Sequence, residues 1–81
     1  MDNSERAQLK EDFFAALHAA GQTKKAFAQE AGFSERSVEY FFAGEHESPQ
    51  LEDQVRAFIC KQLPTIRRRA GELEQRYGRA A

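Results

Sequence analysis

The chain has 81 residues, of which 31% are charged and 41% hydrophobic, with a net charge of −1 and a sequence pI of about 6.1. That length supports one domain with a small core, and the near-neutral balance excludes a chain that holds nucleic acid by bulk positive charge. No apolar run approaches the roughly 20 residues of a membrane span, the first residues lack the apolar stretch of a signal peptide, and the single Cys60 has no partner for a disulfide within the chain, so a cytoplasmic location is expected.

The charge is unevenly spread. Residues 1–60 carry six Lys/Arg against eleven Asp/Glu, a balance of −5, and residues 61–81 carry six Lys/Arg against two Glu, a balance of +4. A local patch therefore has to supply any attraction to phosphate, because the domain as a whole offers little.

In chain order, the spacing predicts a first helix from Ser4 or Glu5 to Ala20. Leu9, Phe13, Ala16, Leu17 and Ala20 fall on one face, and Gly21 closes it. A second helix begins after Thr23, whose hydroxyl can accept from an orphan backbone N–H. Phe27, Ala28 and Ala31 form its inner face, and Gly32 supplies the left-handed residue that ends it. Ser34 caps a third helix with Val38 and Phe41 inward, and Gly44 ends that one.

Residues 45–48 are a polar loop that contains His46, expected to be a solvated residue. Ser48-Pro49 is a strong helix start, with serine as N-cap and proline where its missing N–H costs nothing. Leu51, Val55, Phe58 and Ile59 form the core stripe of a fourth helix running to about Gln62. Cys60 is expected to be a small core residue on this helix. Pro64, with no N–H to give, is expected to break or kink the chain there. A fifth helix is then expected from Pro64 or Thr65 to Tyr77. Its Ile66, Ala70, Leu73 and Tyr77 are spaced 4, 3, 4, which is the seam of a helix that packs on another helix.

Residues 23–44 carry the most specific pattern. A small residue at Ala28, a turn glycine at Gly32 four residues later, inward Val38 and Phe41, and a closing Gly44 stand in order. This stretch resembles the helix-turn-helix of the phage repressor/Cro family, the lambda-repressor-like or XRE-type DNA-binding domains. The resemblance implies an all-α, five-helix domain that covers most of the chain and lays its third helix in the DNA major groove. It departs from the family pattern at Lys24, where the family often has Gln, and in the acidic Glu35 and Glu39 on the presumed DNA-facing side.

The DNA-contacting residues it implies are Lys24 and Lys25 at the N-terminus of the second helix, and Ser34, Glu35, Arg36, Ser37, Glu39 and Tyr40 on the outer side of the third. The chemistry suits those roles. A helix N-terminus with lysines binds phosphate, and the planar fork of Arg36 can bond guanine O6 and N7 bidentately. Glu35 and Glu39 can accept from cytosine N4 or can pair with Arg36, and Tyr40 can meet a thymine methyl or a phosphate. Arg67, Arg68 and Arg69 point to different sides of a helix, so they cannot all face one ligand.

Two copies on a two-fold axis double the bases read. A homodimer held by Ile66, Ala70, Leu73 and Tyr77 is therefore expected, with Arg67, Arg69, Glu74 and Arg76 at its rim. No phosphate-cradling glycine loop, Cys/His pair or paired carboxylate stands at motif spacing, so neither an enzyme, a cofactor, a metal nor a small-molecule substrate is expected. The expected function is that of a sequence-specific transcriptional regulator, a repressor, of a phage, plasmid or mobile element. The alternatives are an interaction adapter or DNA-mimicking module on the same scaffold, and the DNA-targeting N-terminal domain of a transposition protein.

Overall fold

The computed structural model describes residues 2–78. It is all-α, with four helices among the described residues: α1 (Asn3–Ala20), α2 (Lys24–Ala31), α3 (Glu35–Ala43) and α4 (Pro49–Tyr77). α1 packs chiefly on α4, α2 on α3, and α1 also touches α3.

The helix starts follow from their caps. Asp2 Oδ1 accepts from Glu5 N–H at 2.7 Å, so α1 begins slightly earlier than its sequence spacing implies. Thr23 Oγ1 accepts from Ala26 N–H at 3.1 Å, Ser34 Oγ from Ser37 N–H at 3.1 Å, and Ser48 Oγ from Leu51 N–H at 3.2 Å. Each satisfies one donor that the helix itself leaves free.

The ends of α2 and α3 need glycine. Gly32 has φ +82° and Gly44 φ +81°, where an L side chain is strained. Phe33 N–H then reaches back to Ala28 O at 2.8 Å, and Glu45 N–H to Tyr40 O at 3.0 Å. These are the six-to-one bonds of a helix closed by a left-handed residue. Gly44 carries a second constraint, since a Cβ there would lie 3.1 Å from Arg6 Nη1. Arg6 on α1 donates to Asn3 Oδ1 at 3.2 Å and faces Glu47 Oε1 at 4.0 Å. It ties the first helix to the α3–α4 loop.

The core is aromatic. Phe13 is fully buried, with ring centroids at 4.8 Å from Phe27, 5.2 Å from Phe42 and 6.0 Å from Phe58. Leu9, Leu17, Ala28, Val38, Phe41, Leu51 and Val55 complete it, with Phe58 and Ile59 half-buried against it. Phe42 is buried beside Phe41, which widens the inner face of α3 beyond Val38 and Phe41 alone. In α1, Ala19 is buried and Ala20 only half so.

The expected five-helix layout gives way to four. The separate fifth helix over residues 64–77 is the continuation of α4, which runs 29 residues through Pro64. An interior proline costs about 3 kcal/mol because it withholds one N–H and crowds the carbonyl four residues back. Here that carbonyl belongs to Cys60, an exposed residue on the outer side of α4. The arginines, glutamates, leucine and alanine that follow are strong helix formers and carry the helix on. Cys60 is likewise not a core residue, because it lies on the outer side of α4.

Among the described residues no helix is long and apolar enough to cross a membrane.

Candidate nucleic-acid interface

The two glycine-closed turns set the orientation of α3. With Val38, Phe41 and Phe42 buried, Glu35, Arg36, Glu39 and Tyr40 are left exposed, and Ser37 is half-buried. Ser34 spends its hydroxyl on capping, and Ser34 Oγ and Ser37 Oγ share a hydrogen bond at 2.9 Å. Both serines are thus engaged in holding the first turn of α3.

Lys24 and Glu39 are brought together from different helices. Lys24 Nζ donates to Glu39 Oε1 at 2.7 Å, from the first residue of α2 to the middle of α3. The Glu39 carboxyl is held below its ordinary value, first by that hydrogen bond, then by the Lys24 charge, and least by the Arg36 charge. Lys25 is exposed beside this pair. The face therefore carries three cations, Lys24, Lys25 and Arg36, against Glu35 and Glu39.

Arg36 and Tyr40 border a shallow groove of about 360 Å³ between α3 and the α3–α4 loop, with Phe33, Ser37 and His46 also on its walls. The Tyr40 and His46 rings lie 5.4 Å apart. His46 is thus part of this surface, which its place in a polar loop of the sequence does not signal.

The other expected surface lies elsewhere. Ile66 is half-buried, while Ala70, Leu73 and Tyr77 are exposed, Leu73 at 50% and Tyr77 at 66%. Ile66, Ala70 and Leu73 face Ala15, His18 and Ala19 of α1 across an open, mainly apolar groove of about 530 Å³. Tyr77 stands outside this groove with the Arg76 guanidinium 5.9 Å from its ring centroid. Arg67, Arg68 and Arg69 are all exposed, and Arg69 borders the groove.

Among the described residues no group of three or more His, Cys, Asp or Glu side chains stands close enough to hold a metal ion. No family model, curated protein or solved structure matches this chain.

Proposed function

We propose that this chain is a sequence-specific DNA-binding regulator that uses α2 and α3 as a helix-turn-helix, with α3 in the major groove. The observation that carries the reading is the phase of α3. Its Val38, Phe41 and Phe42 are inward, and a guanidinium, a phenol and two carboxylates are outward, beside an α2 N-terminus with two lysines. Arg36 supplies the base contact and Lys25 a phosphate contact. Lys24 joins Lys25 at the backbone once its carboxylate partner releases it. In a cytoplasm of bacterial or phage origin, such a domain represses by occluding a promoter.

A second copy would double the readout, and the exposed face of α4 suits one. Read as a heptad, Ile66 and Leu73 take d, and Ala70 and Tyr77 take a. Arg69 at g then stands opposite Glu74 at e of a parallel second copy, the flank pairing of two-stranded coils.

The test is a gel shift with random and genomic duplex at low and physiological salt, followed by Arg36→Ala. Binding that falls with salt, and a variant that loses about 1–3 kcal/mol and relaxes one base position, support the reading. The Lys24–Glu39 pair favours a second one, in which the scaffold binds a protein, because it neutralises a lysine that phosphate would need. Absence of duplex binding at low salt selects that second reading over the first, whether as an adapter or as the targeting domain of a transposition protein that acts through a partner.

A further inference from the structure

We propose that the Lys24–Glu39 ion pair is a specificity gate on the DNA face, releasing Lys24 to phosphate only where Glu39 finds a base amino group. The proposal rests on the DNA-binding reading of α3 and names the residue that restrains it.

The geometry defines the competition. Lys24 Nζ lies 2.7 Å from Glu39 Oε1, and both side chains reach solvent, at 27% and 49% exposure. The pair is therefore accessible, and as a unit it carries no net charge. A duplex of arbitrary sequence that approaches Lys24 meets Glu39 at the same time. A phosphate that takes the ammonium leaves the carboxylate unpaired against a like-charged backbone. The exchange gains one ionic contact and loses another, so little counterion release is left to drive it.

At a site with cytosine N4 in reach, the balance changes. Glu39 accepts from the base amino group, and Lys24 passes to the backbone. Each charge keeps a partner and one new contact is made. Glu39 thus converts a sequence-blind lysine contact into one conditional on a base. While the pair is closed, the Lys24 hydrogen bond and charge hold the Glu39 carboxyl below its ordinary value. A domain with a balance of −5 over residues 1–60 has little other attraction to mask this effect.

The experiment measures binding to a random-sequence duplex by fluorescence anisotropy across a salt series, for the parent, Glu39→Gln, Lys24→Met/Glu39→Gln and Glu11→Gln. Glu11 is exposed on α1 and serves as a charge control away from the face. Glu39→Gln is expected to steepen the salt slope by about 0.9, which raises affinity about eightfold at about 0.1 M salt. The double variant returns to the parent's affinity, and Glu11→Gln stays there throughout.

Random-duplex binding by Glu39→Gln, where the parent binds genomic but not random duplex, also supports the gate. A parent and Glu39→Gln that bind with the same slope and affinity overturn the gate and leave the DNA reading standing. So does a Glu11→Gln effect of equal size, which reduces the gain to overall charge. If no form binds at low salt, the DNA reading falls and takes the gate with it.

Discussion

Residues 49–59 and 66–77 of α4 share one helix and one handedness, yet their surroundings differ. The first stretch buries Leu51 and Val55 and sets Phe58 and Ile59 against the core. The second buries nothing fully, and its largest side chains, Leu73 and Tyr77, lie open. The contrast shows two ways of making a helix. The first is held by tertiary packing of an amphipathic face, the usual source of helical stability in proteins. The second is held by residue propensity and by continuity with the first. The packed half supplies core residues to the cluster around Phe13, and the open half leaves Leu73 and Tyr77 exposed.

The largest expected effect comes from the packed half. Phe13→Ala removes the ring that meets Phe27, Phe42 and Phe58 at once. It should cost about 3–5 kcal/mol, as large-to-small changes at buried aromatics do. Urea denaturation followed by circular dichroism measures it. A loss under about 1 kcal/mol would mean that the aromatic cluster does not organise the core.

The two turn glycines give the next contrast. Gly32→Ala and Gly44→Ala both place a side chain at positive φ, for a cost of about 1–3 kcal/mol. Gly32 has open space around its would-be Cβ, whereas Gly44 has Arg6 Nη1 at 3.1 Å. Gly44→Ala should therefore lie above Gly32→Ala in the same denaturation series. The reverse order would remove Arg6 as the tie between α1 and the end of α3.

In the open half, Leu73→Glu should change monomer stability by less than about 0.5 kcal/mol, as surface substitutions do. Its effect should instead fall on self-association. Sedimentation at tens of micromolar, on the order of 50 µM, is expected to find a dimeric parent and a monomeric variant. A parent that sediments as a monomer, or a variant that stays dimeric, removes this face from the dimer.

The smallest effect is electrostatic. Glu39 has its carboxyl lowered in the folded state by Lys24. The stabilisation from the bridge is then present above the ordinary carboxylate range and is lost as pH falls through the lowered folded value. Because the pair is exposed, its contribution to folding is small. Side-chain NMR titration reads it directly: the Glu39 midpoint should lie below the ordinary glutamate value, and Lys24→Met should move it upward. An unmoved midpoint contradicts the bridge.

These positions also show how far the residues alone could be read. Thr23, Ser34 and Ser48 announced three helix starts, and Gly21, Gly32 and Gly44 three ends, because capping is decided within a few residues. The phase of α3 was readable from Val38 and Phe41, since period alone places them inward. Tertiary facts were not readable in the same way. Pro64 carries a strong local signal to stop, but α4 continues through it from an exposed Cys60 into a run of helix formers. Cys60 itself gave no sign of facing outward. Phe42 is buried because α1 brings Phe13 to it, a contact across 29 positions of sequence. The Lys24–Glu39 bridge and the Tyr40–His46 contact depend on how two turns fold, so charge and composition could suggest neither partner.

The most direct test of the α3 assignment is amide NMR shift mapping of the parent with duplex selected from a random pool. Shifts should concentrate at Lys24, Lys25, residues 34–40 and His46, with the C-terminal half of α4 affected only through self-association. Shifts confined to Arg67, Arg68 and Arg69, or none at any duplex concentration in low salt, would contradict α3 as the DNA-reading helix.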